Sequence, residues 1–414
     1  MADSRAASAA ALAEAARTSK DRALFEKCRH FTQARELEAL GLYPYFKPIS
    51  AAEDTVVTIE GRDLIMLGSN NYLGMTQHPK VVEAAVEALR KYGSGCTGSR
   101  FLNGTLDLHL ELEAALAEFL GKEDCMVFST GYGANLGLIA GLVSRSDLVY
   151  LDKNDHASIV DGAQLAFGKA VRFRHTNLED LGRKLGNKPS GAGSLIIVDG
   201  VYSMDGDIAD LPGLVALAQK HDAVLAVDDA HSIGVLGPKG DGTAAHYGLV
   251  DDVEIIAGTF SKSFASVGGF VAAEEDVIHY LRHHGRPFMF SAALPPASAA
   301  SVHAALEVLL QEPQRRQQLW ANTERLQTGL QGLGFEIGTT KTPIIPVLVG
   351  PLEKTFQFWK ELFEAGVFTN PVAPPAVSPS SCRLRTSLMA THTFEQVDYC
   401  LEVFDKVGRK LQVL

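Results

Sequence analysis

The sequence predicts an α/β fold with a largely parallel central sheet covered by helices. Two observations lead to this prediction. Short, β-branched apolar runs without interruption are typical of strands buried on both faces, and most of these runs are separated by segments of helix length. The runs are Met126–Phe128, Leu148–Leu151, Val171–Phe173, Leu195–Val198, Val224–Val227 and Ile255–Ala257.

The elements before this sheet are predicted from local patterns. Residues 1 to about 45 are mostly polar and helical in pattern, an arm of the kind that packs on a partner subunit or on the main body. The segment Thr55–Asp63 is typical of a β-hairpin. His78 and Pro79 open an amphipathic helix. The apolar residues expected on one side of that helix are Val81, Val82, Ala85, Val86 and Leu89.

After about residue 290 the composition changes. One long helix from about 297 to 333, followed by the apolar run Ile344–Val349, is typical of a smaller α/β domain. We therefore predict an N-terminal helical arm and hairpin over residues 1–60, a large ligand-binding domain over 61–292, and a small C-terminal domain over 293–414.

Composition narrows the class of protein. The 414 residues carry a formal net charge of −11, which argues against a nucleic-acid binder because such proteins need a basic surface. The five cysteines are dispersed, which favours free thiols in a reducing compartment and predicts no metal site. Without a signal-peptide run or a membrane-spanning stretch, the chain is expected to be cytoplasmic, while contact with a membrane surface stays open.

Polar residues follow the predicted strands directly. In open α/β sheets, ligands bind beyond the carboxyl ends of the strands, so these residues are expected to converge on one site. The segments are Ser129–Tyr132, Asp152–His156, Asp199–Asp207, Asp228–His231 and Thr259–Lys262.

Lys262 is the candidate reactive residue at this edge. A lysine on a buried loop after a strand is desolvated, which lowers its pKa and favours the neutral amine that forms a Schiff base. Thr259 and Ser261 are placed to offer hydroxyl groups to a phosphate. The alternative is a surface lysine that caps a helix.

Asp228, Gly131 and His156 complete a cofactor site. A carboxylate such as Asp228 in a low-dielectric crevice keeps a pyridinium nitrogen protonated, which makes the ring an electron sink. The alternative for Asp228 is a helix N-cap. Gly131 begins a predicted helix, whose N–H groups bind anions such as phosphate. The imidazole of His156 is placed to stack on a flat ring. Together these residues predict a pyridoxal 5'-phosphate (PLP) site.

In their order and spacing, these motifs resemble the α-oxoamine synthases, a branch of the fold-type I PLP enzymes. The likeness runs from Leu67–Gly74 to Leu384–Ser387, nearly the whole chain. The resemblance implies a fold-type I transferase and a homodimer with its active site at the subunit interface. It also implies a reaction that joins an amino acid to an acyl thioester with loss of CO2.

The resemblance implies a role for each residue around the cofactor ring. Lys262 would form the Schiff base and, once displaced, act as the base at Cα. Asp228 would pair with the pyridine nitrogen, and His156 would stack on the ring. His231 would touch the phenolic oxygen, and Ser203 resembles the ring-contacting serine of the family.

The phosphate and the substrate have their own expected contacts. The residues that would hold the phosphate are Gly131, Tyr132, Thr259 and Ser261. Arg385 matches the arginine that grips the substrate carboxylate, a role that suits its bidentate fork. Asn71 would assist near that carboxylate.

Within the family the chain is most similar to the bacterial serine palmitoyltransferases. The similar segments are Gly95–Thr105, Phe173–His175 and Phe288–Pro296. This likeness implies that L-serine reacts with palmitoyl-CoA, or with an acyl carrier protein thioester. The products would be 3-ketosphinganine, CoA and CO2, the first step of sphingolipid synthesis.

One departure leaves the amino acid open. Bacterial members often carry an arginine directly before a Pro-Pro pair, and this chain has Ala373 there. One alternative is therefore glycine or alanine with another acyl-CoA, as in glycine C-acetyltransferase or 8-amino-7-oxononanoate synthase. An alternative from another class is a non-catalytic regulatory protein with the PLP-enzyme fold.

Overall fold

A computed structural model describes residues 23–374 and 376–414 of the chain. Contacts divide the chain into two units, residues 1–47 and 48–414. In the first unit, the described residues form helices α1 (Ala23–Arg29) and α2 (Gln33–Ala39). The predicted arm before Ala23 lies outside the described residues.

The predicted hairpin is confirmed. It belongs to a small sheet whose first strands are β1 (Ile49–Glu53), β2 (Val56–Ile59) and β3 (Arg62–Met66). Neighbouring strands in this group are antiparallel, and Val56 of β2 pairs with Ile65 of β3.

The central sheet contains every strand that the apolar runs predict. Its strands are β4 (Asp124–Phe128), β5 (Leu148–Asp152), β6 (Lys169–Phe173), β7 (Ser194–Asp199), β8 (Val224–Asp228), β9 (Ile255–Thr259) and β10 (Gly269–Ala273). Within the described part of the chain their order is β4-β10-β9-β8-β7-β5-β6. The pairs from β9 to β6 are parallel, which confirms the predicted fold class.

Strand β10 was not predicted. It lies antiparallel between β4 and β9, and all of its residues are buried. The connection from Thr259 to Gly269 is too short for a helical crossover, so the chain reverses direction instead. The sequence did not predict this strand because Gly268 and Gly269 are adjacent at its start, and glycine is depleted in strands.

The strands of the central sheet are largely buried on both faces, except the edge strand β6, where only Phe173 is fully buried and the prediction for Val171–Phe173 is therefore wrong in this respect. Side chains of β4 alternate between two hydrophobic clusters, with Val127 in one and Met126 and Phe128 in the other. Two apolar faces require helices on both sides, which fits the helical segments between the strands.

Helices follow or precede these strands along the second unit. They are α3 (Pro79–Tyr92), α4 (Asp107–Leu120), α5 (Gly131–Leu142), α6 (Ala157–Leu165), α7 (Leu178–Leu185), α8 (Leu211–His221), α9 (Thr243–Tyr247), α10 (Glu275–His284), α11 (Arg286–Phe290), α12 (Pro296–Gln311), α13 (Gln314–Leu333), α14 (Leu352–Glu364) and α15 (Phe394–Lys410). A 3-10 turn spans Val250–Asp252. No helix among the described residues is both long and apolar enough to cross a membrane.

Two helix predictions need correction. Helix α3 begins at Pro79 as expected, but its buried residues are Val81 and Ala88, while Val82 and Leu89 are 46% and 48% exposed. Of the predicted apolar side, Val81 is therefore buried within one chain, whereas Val82 and Leu89 are not. The single helix expected from 297 to 333 is two helices, which separate at Pro313, where proline cannot donate a backbone hydrogen bond.

The C-terminal residues complete two sheets. The strands are β11 (Ile344–Gly350), β12 (Val367–Phe368), β13 (Asn370–Val372) and β14 (Cys382–Ser387). Strands β11 and β13 flank β14 antiparallel, which confirms the strand predicted at Ile344. Strand β12 pairs in parallel with β3 and so joins the sheet of the hairpin. The boundaries proposed at residues 60 and 292 stay predictions.

Candidate active site

All the residues that the family resemblance assigns to the cofactor line one cavity of about 340 Å³. They are Gly131, Tyr132, His156, Ser203, Asp228, His231, Thr259, Ser261 and Lys262. The cavity lies at the carboxyl ends of strands in the central sheet, where ligands bind in folds of this class. Its volume is within the range of small-ligand sites.

Lys262 lies in the segment that connects β9 to β10. Burial of the amine lowers the pKa of Lys262 to about 8, against the negative charges of Asp228 and Asp199, which raise it. The positive charge of Arg385 lowers it further. A substantial fraction of the amine is therefore neutral near pH 8, as a nucleophile requires.

Asp228 ends strand β8 and is 5% exposed. Its Oδ2 accepts a hydrogen bond from Asn135 Nδ2 at 2.6 Å, and its Oδ1 accepts one from the backbone N–H of Ala230 at 2.9 Å. The neighbouring Asp229 instead binds the backbone and hydroxyl of Thr243, at the start of α9. The helix-end role therefore falls to Asp229, and Asp228 faces the cavity.

The N-terminus of α5 forms one end of the cavity. The cap residue Thr130 accepts a hydrogen bond from the N–H of Gly133 at 2.9 Å. A Cβ on Gly131 would lie 2.7 Å from Thr259 Oγ1, so any side chain at position 131 would collide with the hydroxyl of Thr259. Thr259 Oγ1 and Ser261 Oγ are 2.9 Å apart. Helix N–H groups with two hydroxyls make an anion site.

His156 is the N-cap residue of helix α6. Its backbone N–H donates to Asp199 Oδ2 at 2.8 Å, and its Nδ1 is 2.7 Å from Ser158 Oγ. Burial lowers the pKa of His156, so the ring is neutral. The hydroxyl of Tyr132, in α5, donates a hydrogen bond to Asp161 in α6, so this hydroxyl already has a partner within the protein.

Arg385 on β14 is 5% exposed and does not line the cavity. Its Nε donates to the backbone oxygen of Ser203 at 2.6 Å, and its Nη2 donates to Asn70 Oδ1 at 2.9 Å. Asn71 lies apart from this contact, because its amide binds Thr76 and the backbone N–H of Met75. Asn70, which was not singled out, is the residue that meets Arg385.

A buried acidic network lies at the cavity, and its members belong to strand-end segments expected to converge on one site, although the sequence assigned no role to them individually. Asp199 lines the cavity, and burial together with the charge of Asp228 raises its pKa well above the usual range. Asp155 accepts from the N–H groups of Asp152 and Asp199. His175 lies between Asp152 at 2.9 Å and Asp207 at 3.1 Å. The signal was present, since most of these acids directly end or follow a buried strand.

Two further polar neighbours were missed. Asn135 in α5 bridges Asp228 and Ser158. The buried hydroxyl of Tyr72 lies 2.7 Å from His231 Nδ1. Neither residue directly follows a strand, so neither belongs to the polar strand-end segments from which the site was predicted.

The cavity fits a phosphorylated cofactor with a basic ring nitrogen and an electrophilic carbon. It offers an anion site at Gly131, Thr259 and Ser261, a buried carboxylate at Asp228, and the amine of Lys262. Across the described ranges there is no group of three or more His, Cys, Asp or Glu side chains arranged to hold a metal ion.

Comparisons with known proteins identify the family of the chain. Residues 62–404 match the aminotransferase class I and II family. A serine palmitoyltransferase from Sphingobacterium spiritivorum is 50% identical over 390 residues, which cover 94% of this chain and 98% of that protein. An 8-amino-7-oxononanoate synthase from Treponema denticola is 41% identical over 383 residues, 92% of this chain and 97% of that protein.

Solved structures give the same result. The serine palmitoyltransferase of Sphingomonas wittichii has a TM-score of 0.92 and 41% identity, and the match covers 95% of this chain and 99% of that one. A structure of SPT with a PLP internal aldimine also has a TM-score of 0.92, with 39% identity over 96% of this chain and 99% of that one.

Proposed function

Since the chain belongs to the aminotransferase class I and II family, and within it to the PLP-dependent α-oxoamine synthases, we propose that it condenses L-serine with palmitoyl-CoA. The products are 3-ketosphinganine, CoA and CO2. The observation that carries the proposal is the convergence of Lys262 and Asp228 on one cavity, with Arg385 close enough to lower the pKa of Lys262.

The cofactor, when bound, supplies an electron sink for negative charge at the substrate Cα. Lys262 would hold the cofactor through its amine. The amine, whose pKa is lowered by burial to about 8, would then act as the base that removes the proton from Cα. Asp228 keeps a proton on the ring nitrogen, because its buried carboxylate is fixed by Asn135 and the N–H of Ala230.

The remaining residues bind and orient. Thr259, Ser261 and the N-terminus of α5 hold the phosphate, and neutral His156 covers the ring. Arg385 binds the substrate carboxylate, whose loss as CO2 follows the formation of the new carbon–carbon bond. Thus the ring end and the carboxylate end of the site are held by different elements, the central sheet and β14.

The amino acid is tested by a product assay. The purified protein with PLP and palmitoyl-CoA is given serine, glycine or alanine, and CoA release and product mass are measured. We expect serine to be used best. A clear preference for alanine, with turnover of a shorter acyl-CoA, would favour an 8-amino-7-oxononanoate synthase, the second candidate that Ala373 and the 41% identical relative keep open. Palmitoyl acyl carrier protein in place of palmitoyl-CoA identifies the donor.

Lys262→Ala tests the reaction itself. We expect no turnover and no covalent link to the cofactor, because the variant lacks both the attachment point and the base. Circular dichroism should show an unchanged fold. Turnover at a substantial fraction of the wild-type rate would refute the assignment of Lys262.

A further inference from the structure

Tyr72 has no part in the chemistry described above, yet it contacts the site. The side chain is 1% exposed, and its hydroxyl oxygen lies 2.7 Å from Nδ1 of His231, a residue 159 positions later in the chain. Such a short contact between a phenol and an imidazole is a hydrogen bond in which one of the two groups must donate.

The other neighbours of the hydroxyl decide the direction of this bond. Arg385 also faces the Tyr72 hydroxyl and, as a guanidinium, can only donate. Asn70 Oδ1 also accepts from the Tyr72 hydroxyl, but at 3.5 Å it is much farther away than His231 Nδ1 at 2.7 Å. The tyrosine proton therefore has its nearest acceptor in His231 Nδ1.

The state of the imidazole completes the assignment. His231 is buried, and burial together with the positive charges of Lys262 and Arg385 lowers its pKa well below the usual range. The ring is therefore neutral and carries one proton. If Nδ1 accepts from Tyr72, that proton is on Nε2, the nitrogen left for the cavity that His231 lines.

We propose that Tyr72 is a positioning residue that fixes His231 as the Nε2–H tautomer, so that the imidazole presents a hydrogen-bond donor to the cavity. A donor at this place is matched to an anionic oxygen, such as the phenolic oxygen of the cofactor. Naming that oxygen rests on the proposed function, whereas the tautomer does not.

The arrangement also links two parts of the site. Arg385, Tyr72 and His231 form one chain of contacts from β14 to the end of β8. A cation at one end polarises the tyrosine hydroxyl toward the imidazole, and hydrogen bonds in such chains strengthen one another. Arg385, which would bind the amino acid, is thus connected through Tyr72 with His231, which would contact the cofactor.

The tautomer is tested by NMR on the full-length protein labelled with nitrogen-15 in its histidine rings. The His231 signals are assigned by their loss in His231→Gln. We expect the proton-bearing nitrogen to be Nε2 and the unprotonated one to be Nδ1. In Tyr72→Phe this preference should weaken or reverse. A His231 with its proton on Nδ1 in the wild type would overturn the proposal, whether or not the variant folds.

Activity provides a second readout. Tyr72→Phe should lower kcat/KM about 10- to 100-fold, the usual effect of losing one buried hydrogen bond in a charged network. The matched control is Tyr150→Phe, which removes a hydroxyl from another fully buried tyrosine outside the cavity and should leave the His231 signals unchanged. Equal effects of the two variants would contradict the proposal. A failed condensation assay with an Nε2–H His231 would instead count against the proposed function alone.

Discussion

In the proposed function, the electronic part of the mechanism depends on the buried carboxylate of Asp228. Asn135 and the N–H of Ala230 fix its two oxygens, and its negative charge raises the pKa of Lys262. Its neighbour Asp229 is equally buried but binds Thr243 and does not line the cavity. Two adjacent acids therefore have separate tasks, one toward the ligand and one toward the fold.

Asp228→Asn should still bind the cofactor but lose activity by roughly 100-fold or more, because an amide does not hold the ring nitrogen protonated. The measurement is kcat with saturating serine, together with the absorbance of the bound cofactor. Asp229→Asn is the matched control, and it should lower stability more than kcat. Near-normal turnover in Asp228→Asn would mean that another group pairs with the ring nitrogen or that a protonated nitrogen is not needed.

Arg385→Ala should weaken serine binding by about 2–4 kcal/mol, roughly 30- to 1,000-fold, through the loss of a charge-assisted bidentate pair. Arg385→Lys keeps the charge without the fork and should recover only part of the affinity. Serine is titrated while the cofactor absorbance is followed. Arg383→Ala is the control, since Arg383 lies two positions earlier on β14 and pairs with Asp205. An unchanged serine dissociation constant in Arg385→Ala would remove Arg385 from the site.

At the scale of elements, three strand ends are tied together by one imidazole. His175 follows β6 and binds Asp152 at the end of β5 and Asp207 in the segment after β7. Burial lowers the pKa of His175, but the two carboxylates outweigh this effect and raise it to about 10. His175 is therefore a cation at neutral pH and offsets part of the buried negative charge beneath the cavity.

This ion pair gives a pH dependence of stability. The folded-state pKa lies above the unfolded value of about 6.5, so the stabilisation is fully present below pH 6.5 and is lost as the pH rises through about 10. We expect wild type to be more stable than His175→Gln at pH 6.5, and the difference to shrink toward pH 10. Denaturant unfolding at several pH values measures it. A difference that does not change with pH would mean that His175 is neutral in the folded protein.

Strands and helices were predicted correctly where a sequence pattern is compatible with one kind of element. The run Leu195–Val198 has no polar residue on either face, so only a strand buried on both sides fits it. In contrast, β10 follows Gly268, begins with Gly269 and ends in two alanines, residue types that are depleted in strands, so its sequence does not stand out. The side of α3 that is buried depends on α12, which packs against it from more than 200 residues later, and local periodicity carries no information about that partner.

The same limit applies to the site. Lys262, Asp228 and His156 were predictable because each directly follows a strand, and the carboxyl ends of parallel strands share one edge. Tyr72 and Asn70 reach the site from a turn outside the central sheet. Their contacts follow from the packing of distant segments, so no local signal marks them.

For the whole molecule, the exposed apolar side chains of one chain suggest an association surface. Val82 and Leu89 on α3 and Leu102 in the glycine-rich segment Gly93–Thr105 are largely exposed. Apolar patches of this kind often mark subunit interfaces. They agree with the homodimer that the family resemblance predicts.

We expect light scattering to give a particle of two chains, with the segment Gly93–Thr105 of one subunit closing the site of the other. Hybrids test the exchange. Lys262→Ala is mixed with Gly104→Val, in which an added side chain would collide with the backbone oxygen of Gly98. If each subunit completes its partner's site, two inactive variants should regain activity on mixing. A fully active monomer, or hybrids without activity, would contradict this arrangement.

The contacts of Arg385 also have a stereochemical consequence. Ser203 and Asn70 occupy Nε and Nη2 along one side of the guanidinium, so a carboxylate can be met in a bidentate way only at the terminal edge of the fork. An amino acid held there by its carboxylate, and at its nitrogen by the bound cofactor, has little freedom to rotate. The two mirror-image forms would then turn their α-hydrogens toward opposite walls, and only one wall carries the amine of Lys262. If Arg385 binds the carboxylate as proposed, discrimination between L and D amino acids would follow from the contacts by which Ser203 and Asn70 restrict its guanidinium.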